Sequence, residues 1–160
     1  MKVKSQVFED KNPIKRLKSL TTLDTYGNCQ RPVLSLGVSQ HAQNNKPMKL
    51  VVEVNLSATR SSEVHITNYS NNSHEPEGAL VCVRTLCVHQ DFRNKGVATK
   101  LLKHFIQYVQ ENVKNVRKMG LICHDNLIPM YVKLGFQCRG LSEMPGDPPW
   151  YYMERSIGGN

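Results

Sequence analysis

The sequence predicts an α/β (α+β) domain in which a mixed central sheet is flanked by helices. Strand-like and helix-like hydrophobic patterns alternate along the second half of the chain, from Ala79 onward. A short basic turn, residues 91–98, joins the first of these strands to the first helix. A chain of 160 residues has the length of one ordinary domain. We therefore expect residues 1–160 to form a single domain whose N-terminal part, residues 1–48, is atypical.

The first half of the chain carries the weaker patterns. Residues 11–23 fit a short helix with apolar side chains on one side. Residues 33–38 are typical of a strand, and residues 49–56 alternate apolar and polar side chains, which predicts a second strand. The polar stretch from Arg60 to Gly78 indicates a long loop.

Two strong patterns follow. Ala79 to Val88 is a mostly apolar, β-branched run, which is typical of a strand buried on both faces. From Gly96 to Asn112 the apolar residues recur at helical spacing, which predicts an amphipathic helix. Its apolar positions are 97, 98, 101, 102, 105, 106 and 109.

The last quarter predicts three further strands and one short helix. Met119 to Cys123 indicates a short buried strand. Asp125 or Asn126 can cap the helix after it, Pro129 suits its first turn, and Gly135 is a good residue to end it. Two closing strands are expected at residues 136–141 and 150–155.

The turn before the predicted amphipathic helix has the chemistry of an anion-binding site. The first N–H groups of a helix have no partner within the helix and lie at the positive end of its dipole. A pyrophosphate can accept hydrogen bonds from these N–H groups, and its negative charge is stabilised by the dipole. Gly96 keeps a Cβ out of the way, while Arg93 and Lys95 add positive charge. The alternative interpretation is a plain helix start that binds nothing.

Two motifs resemble those of the GNAT N-acetyltransferases. The first is Arg93-x-x-Gly96-x-Ala98, preceded by the run Leu86 to His89, and it matches the acetyl-CoA signature of that family. The second runs from Cys123 to Phe136 and contains Pro129-x-Tyr131 followed by Gly135-Phe136. Within the family the sequence is most similar to arylalkylamine N-acetyltransferases and their fungal polyamine-acetylating relatives. The resemblance is best over residues 79–157, the expected acetyl-CoA-binding core.

The resemblance implies acetyl-CoA as co-substrate, no metal, and direct attack of an amine on the thioester in a ternary complex. A backbone N–H at Leu86 to Val88 would then stabilise the developing oxyanion. Tyr131 would protonate the leaving thiolate, although the same residue could simply pack on the core. The residues expected to bind the cofactor are Leu86, Cys87, Val88, Arg93, Asn94, Lys95, Gly96, Val97, Ala98, Thr99, Asn126 and Tyr131.

The general base is left open by the sequence. Arylalkylamine acetyltransferases place two histidines on one face of the strand before the loop, and those positions here hold Cys82 and Arg84. Arginine does not act as a base at neutral pH, and Cys82 would need a partner. A water chain, His65 or His74 are the remaining alternatives.

Other histidines and aromatic residues are expected to have ordinary structural roles. His89 and His124 flank strand ends and are expected to be exposed, and His104 should lie on a helix surface. Trp150, Tyr151 and Tyr152 are interpreted as strand and core residues, with the alternative that one of them lines the acceptor pocket.

Charge and cysteine content limit the functions and locations that can be expected. The net charge is +8, and seven Lys or Arg with one acid, Glu111, fall between Arg93 and Lys118. This basic stretch fits a solvated helix face or a polyanionic cofactor, and we expect no nucleic acid because no aromatic residues interleave it. The five cysteines form no Cys-x-x-Cys pair and indicate a reducing compartment. With no signal peptide and no apolar run long enough for a membrane span, a cytoplasmic location is expected.

The predicted function is transfer of acetyl from acetyl-CoA to a primary amine, a small arylalkylamine or polyamine, by a monomer or weak dimer. Three alternatives stay open: a CoA-binding homologue with weak or no activity, a protein or peptide N-acetyltransferase, and a basic nucleic-acid binder. The residues before the second expected strand are few for the family's N-terminal elements, so acceptor binding is less well defined than cofactor binding.

Overall fold

The computed structural model describes the backbone of residues 34–40 and 51–158 and the side chains from Val54 to Gly158. The short helix predicted at residues 11–23 lies outside the described residues.

Six strands form one mixed sheet. They are β1 (Leu34–Gln40), β2 (Val51–Ser61), β3 (Leu80–Val88), β4 (Lys118–Cys123), β5 (Gln137–Leu141) and β6 (Tyr151–Ser156). The spatial order is β1-β2-β3-β4-β6-β5, and only the β3–β4 pair is parallel. A parallel pair needs a long crossover, which the helix α2 (Val97–Asn112) supplies. Two shorter helices are α1 (Asn68–Asn72) and α3 (Ile128–Lys133).

Most of the predicted elements are confirmed within one or two residues. The exceptions begin at β2, which runs five residues beyond its predicted end at Leu56. Its last residues are polar, but they are buried and their polar groups are satisfied. Thr59 Oγ1 donates to the Ser70 carbonyl at 3.0 Å. The Arg60 side chain donates from Nε to the Gly78 carbonyl and from Nη2 to the Lys114 carbonyl, both at 2.9 Å.

The predicted long loop contains the helix α1. Thr67 and Ser70 cap each other: the Ser70 N–H donates to Thr67 Oγ1 at 3.1 Å, and the Thr67 N–H donates to Ser70 Oγ at 2.8 Å. The loop then returns so close to β2 that a Cβ on Gly78 would lie 2.4 Å from the Ser61 carbonyl carbon. Glycine is therefore required where this segment crosses the strand.

The prediction that the whole of β3 is buried on both faces is wrong for its second half. Leu80 to Val83 are buried, whereas Arg84 and Cys87 are exposed and their neighbours are half-buried. The change follows from pairing, because β4 covers β3 only as far as Cys82.

The two sheet faces carry unequal apolar clusters. The larger cluster lies under α2 and α3 and includes the inner residues of α2, as predicted: Leu101, Leu102, Phe105, Ile106 and Val109. The smaller cluster lies on the opposite face, where Ile66, Leu80 and Cys82 pack with Ile122 and Tyr152. Among the described residues, α2 and α3 cover one face of the sheet, and α1 packs on the β2 and β3 part of the opposite face, beside Thr59 and Cys82.

The buried Arg60 ties three chain segments together, and its removal should be costly. Arg60→Met keeps the buried stem but removes both hydrogen bonds to carbonyls. We expect it to lower the free energy of unfolding by about 2–3 kcal/mol, measured by urea denaturation. Arg117→Met, at an exposed arginine, is the control and should change stability by less than about 0.5 kcal/mol. Equal effects of the two substitutions would contradict a structural role for Arg60.

Candidate active site

A gap opens between the two parallel strands. β3 pairs with β4 only through Leu80–Cys82 against Lys118–Gly120. Beyond Cys82 the described strands show no further pairing between them. The register of β3 with β2 also shifts at this point, since Val83 faces Ala58 and Thr85 faces Ser57, which leaves Arg84 as the extra residue of a β-bulge. The edge of β3 that faces the gap is thus available to an extended ligand with amide groups.

The turn after β3 leads directly to the uncapped start of α2. Gly96 is the N-cap residue and has a left-handed conformation, with φ of 71°. No side chain caps the helix, its first turn contains no acid, and the first internal bond runs from the Lys100 N–H to the Gly96 carbonyl at 3.0 Å. A Cβ on Gly96 would meet nothing within 4 Å, so the approach to these N–H groups is open. The arrangement is suited to an anion.

The two basic residues of the turn are held by the turn itself. Arg93 Nε donates to the Val88 carbonyl at 3.1 Å, and Lys95 Nζ donates to the Asp91 carbonyl at 2.9 Å. Lys95 Nζ also lies 5.6 Å from the centre of the Phe92 ring. Both side chains are exposed, and Arg93 keeps further N–H groups for a ligand. Asn94 is left-handed as well, with φ of 58°, a feature that the sequence pattern did not predict.

Tyr131 is a buried residue of α3. Its side chain is 6% exposed and its ring packs edge-on against Phe136, with ring centres 5.9 Å apart. Burial, with the charge of Cys123 adding to it, raises the pKa of Tyr131 to about 12. The phenol therefore stays protonated at neutral pH, as an acid must. Packing on the core and acid catalysis are both compatible with this position.

The start of α3 differs from its prediction. A short 3-10 turn, Asp125–Leu127, leads into the helix, and the N-cap residue is Leu127 without a side-chain cap. Asp125 Oδ1 instead accepts from the N–H of Asn126 at 2.7 Å. The predicted cap is therefore wrong, while Pro129 does lie in the first turn. Asn126 is exposed at the carboxyl end of β4.

Cys82 is a buried residue of β3. Burial raises the pKa of its thiol to about 11 despite hydrogen bonds to Ser70 and Thr59. The positive charge of Arg84 opposes this rise, while the bulge at Arg84 interrupts the alternation on which the predicted common face of the two residues was based. Arg84 itself is exposed beside the gap.

The two loop histidines lie in different surroundings. His74 Nδ1 accepts from the Arg60 N–H at 3.1 Å, and burial, followed by the charge of Arg60, lowers the pKa of His74. Since Arg60 pairs with Val81, His74 is near the start of β3, away from the gap. His65 is exposed, with its ring edge-on to Tyr152 and ring centres 6.0 Å apart.

A second polar group centres on Glu154 of β6. Glu154 Oε2 accepts from Tyr152 Oη at 2.9 Å and from Lys118 Nζ at 3.1 Å, and Arg139 reaches Oε1 at 3.3 Å. Burial raises the pKa of Glu154, but these hydrogen bonds and charges outweigh it and hold the pKa below its usual range. Burial and the bond to Glu154 raise the pKa of Tyr152.

The environment of His124, which directly follows β4, differs from its prediction. It is half-buried, not exposed, and its ring stacks on Trp150 with centres 3.9 Å apart and planes at 23°. Its Nδ1 lies 3.3 Å from the Pro149 carbonyl oxygen. Pairing of Cys123 with Tyr151 brings these residues together, a register that the sequence does not reveal. His89 and His104 are exposed as expected.

A cavity of about 290 Å³ lies at the other end of β4. Gly135, Gln137, Arg139, Glu154, Arg155 and Ser156 line it. Ser156 pairs with Lys118, the first residue of β4, so the cavity is remote from the gap. Arg155 donates to the Leu134 carbonyl there.

Two further features bear on cofactors and location. Within residues 54–158 no cluster of three or more His, Cys, Asp or Glu side chains has the geometry to hold a metal ion. None of the described helices is both long and apolar enough to cross a membrane.

Known proteins resemble this chain in sequence and in fold. Residues 51–138 match the family model described as "Acetyltransferase (GNAT) domain". Serotonin N-acetyltransferase of Mesocricetus auratus is 35% identical over 75 residues, which cover 47% of this chain and 36% of that protein. The match thus spans about a third of the curated relative's length.

Two solved structures show the same fold. NAA60 of Arabidopsis thaliana in complex with acetyl-CoA has a TM-score of 0.58 at 20% identity, covering 79% of this chain and 77% of that one. The ribosomal-protein-S18-alanine N-acetyltransferase of Escherichia coli has a TM-score of 0.54 at 16% identity, covering 83% and 74%.

The Glu154 group should make stability depend on pH. Its carboxyl pKa is lowered by folding, so its contribution is present above the unfolded pKa of about 4.5 and is lost as pH falls through the folded value. Glu154→Gln should therefore cost roughly 1–2 kcal/mol at pH 7, and the difference from the unsubstituted protein should shrink between about pH 4.5 and pH 3. Urea unfolding at each pH measures this. Glu143→Gln, at an exposed carboxylate, is the control. A difference that stays constant down to the lowest pH would contradict the assignment.

Proposed function

The chain belongs to the family of GNAT acetyltransferase domains, since the family model matches more than half of its residues, and we propose on that basis that it transfers the acetyl group of acetyl-CoA to a primary amine. The observation that carries the proposal is the combination of the gap beside β3 with the uncapped N-terminus of α2. The acceptor that we propose is a small amine, an arylalkylamine or a polyamine.

The cofactor would lie along the gap. Its pyrophosphate would take the N–H groups from Arg93 to Thr99, where the helix has no cap of its own. Its pantetheine arm would pair with the free edge of β3 at Leu86, Cys87 and Val88. Asn126 and Tyr131 lie on the other side, after the carboxyl end of β4. Acetyl-CoA would supply a thioester at this place, and the NAA60 fold relative was solved in complex with that same cofactor.

The protein groups would handle charge and protons. A backbone N–H at Leu86 to Val88 would donate to the oxygen that gains charge as the amine nitrogen bonds to the acetyl carbon. As the carbon–sulfur bond breaks, the sulfur would take up a proton from Tyr131, whose phenol is protonated at neutral pH. The attacking nitrogen must lose its own proton to a base or to water.

The choice of a small amine rests on two supports. The 75-residue similarity to a serotonin N-acetyltransferase is one. The other is the aromatic character of the sheet face opposite α2 and α3, where Trp150 and Tyr152 lie beside the carboxyl end of β4. Arg84 acts against a cationic acceptor, since its charge would oppose an ammonium group by about 1 kcal/mol at about 4 Å even in water. The amine is therefore expected to react as the neutral species.

Two other functions stay as alternatives. A CoA-binding protein with weak or no activity is favoured by Arg84 and by the loss of Cys82 as a base. A protein or peptide N-acetyltransferase is favoured by the solved relatives, which include a ribosomal-protein acetyltransferase, although their identity supports the fold alone. Release of free thiol from acetyl-CoA with tryptamine, tyramine, spermidine and a lysine peptide separates these alternatives.

Binding of acetyl-CoA is tested at Gly96. Acetyl-CoA should raise the melting temperature of the protein, because a ligand that binds only the folded state stabilises it. Gly96→Glu should abolish that shift by placing a negative side chain where the pyrophosphate binds. Gly140→Glu is the matched control, since Gly140 also has a positive φ and open space around it but lies in β5. A shift that survives in Gly96→Glu would place the cofactor elsewhere.

Acid catalysis is tested at Tyr131. Tyr131→Phe keeps the ring against Phe136 and removes only the hydroxyl. We expect kcat to fall by roughly ten- to a thousandfold while the acetyl-CoA melting shift is unchanged. Tyr108→Phe, at a half-buried position of α2, serves as the control. A wild-type rate in Tyr131→Phe would leave Tyr131 as a packing residue only.

A further inference from the structure

We propose that His124 is the general base that takes the proton from the attacking amine, an inference that rests on the proposed acetyltransferase function. Direct attack requires a neutral nitrogen with a proton acceptor near the gap. The described side chains at the positions of Cys82 and Arg84 do not provide one, because the thiol of Cys82 stays protonated and arginine does not deprotonate.

The position of His124 relative to the gap follows from the strand register. Cys82 pairs with Gly120 in the last parallel pair. His124 lies four residues beyond Gly120, and the bulge at Arg84 takes up one residue of β3, so Cys87 lies at about the height of His124. Since β3 and β4 run in the same direction and flank the gap, His124 follows the strand opposite the oxyanion donor expected at Leu86 to Val88.

His124 lies on the sheet face opposite α2 and α3. Met119, Leu121 and Cys123 of β4 point into the large cluster under the helices. Alternation along the strand therefore places Ile122 on the opposite face, where it packs with Tyr152. His124 continues the Ile122 side and meets Trp150, which precedes Tyr152 by two residues. An acceptor that enters over this face passes the imidazole.

The contacts of the imidazole select a proton-accepting tautomer. A carbonyl oxygen only accepts, so the 3.3 Å contact with Pro149 is a hydrogen bond when Nδ1 carries the hydrogen. In the neutral ring Nε2 then keeps its lone pair. The stack on Trp150 fixes the plane of the ring. The hydrogen bond to Pro149 and the stack on Trp150 thus orient the ring with Nε2 as a free proton acceptor, as a general base requires.

The other described histidines lack this combination. His104 is on the exposed side of α2, and His74 uses its Nδ1 for the Arg60 N–H at the far end of β3. His89 contacts Asp91 at the start of the cofactor turn. The ring of His65 lies edge-on to the ring of Tyr152. His65 is the alternative general base, and the experiment must distinguish it from His124.

The charged and titratable groups around His124 come from three elements. Asp125 follows it in the chain, Tyr152 and Glu154 lie on its face of the sheet in β6, and Arg84 and Cys87 are exposed residues of β3 on the other side of the gap. Glu154 is already charged and Tyr152 still protonated at neutral and mildly alkaline pH, since the pKa of Glu154 is lowered and that of Tyr152 raised. Neither of these two groups changes charge in the range in which an imidazole titrates.

The test is a pH profile of kcat/KM from about pH 6 to about pH 9.5 with acetyl-CoA and one amine that the unsubstituted protein acetylates. His124→Asn is the main variant, because its amide nitrogen can still donate to the Pro149 carbonyl while no basic nitrogen remains. We expect its rate to fall about ten- to a hundredfold at pH 7, and the deficit to shrink toward the alkaline end as more amine arrives neutral. The acetyl-CoA melting shift should be retained.

Matched variants guard against a structural effect. His104→Asn should match the unsubstituted protein at every pH. His65→Asn should keep most of the rate at neutral pH. Trp150→Leu keeps the imidazole of His124 but removes the ring that it stacks on. It should therefore lower kcat/KM several-fold while kcat/KM still depends on pH as in the unsubstituted protein. Added imidazole should partly restore the rate of His124→Ala.

The outcomes separate this inference from the proposed function. If the unsubstituted protein binds acetyl-CoA but acetylates no amine, the proposed function fails and this inference fails with it. If it acetylates an amine and His124→Asn shows the same rate and profile, the inference alone is overturned. A deficit in His124→Asn that is equal at all pH values, or one that occurs in His65→Asn instead, also overturns it.

Discussion

The rest of the structure depends on the short pairing of β3 with β4. Three residues of each strand are paired, and the strands then separate. An unpaired strand edge inside a sheet would be costly if it were dry, because backbone N–H and C=O groups need partners. Here the separation coincides with the bulge at Arg84 and leads to the turn of residues 89–96. Among the described strands, the edge of β3 beyond Cys82 has no strand partner, and the turn that follows it leads to the uncapped first turn of α2.

The stability of the fold comes mainly from the sheet face that packs against α2 and α3. α2 and α3 pack on one side of the sheet, and the large apolar cluster continues under both helices across β2, β3, β4 and β6. Its fully buried members include Phe105, Phe136 and Met153, each contributing about 1.5–3 kcal/mol of hydrophobic free energy. The opposite face holds a smaller cluster and a polar group around Glu154. Among the described residues, the larger core therefore lies on the face opposite Ile122 and Tyr152.

Local patterns were sufficient for the elements whose causes are local. The helical spacing of Leu101 to Val109 predicted the buried side of α2, and Gly96 and Gly135 predicted a helix start and a helix end. The motif residues of the turn follow β3 and those of α3 follow β4, the two strands that flank the gap. Their functional roles remain predictions.

What the sequence did not reveal depends on distant partners. β2 extends through polar residues because Ser70, Gly78 and Lys114 supply their hydrogen-bond partners, and these are 11 to 54 positions away. The exposure of the second half of β3 depends on where β4 leaves it. The stacking of His124 on Trp150 depends on β6, not β5, being the neighbour of β4. A register between antiparallel strands cannot be read from the alternation of either strand alone.

The hydrogen bonds inside the turn of residues 89–96 have a consequence for the kinetics of the proposed cofactor binding. Arg93 donates to the Val88 carbonyl, Lys95 donates to the Asp91 carbonyl, and the Asp91 N–H contacts His89, all without a ligand. A preorganised site spends little of its interaction energy on ordering side chains and backbone. Association of the proposed polyanionic cofactor would then be governed by diffusion and by attraction to the exposed basic groups, without a slow loop closure.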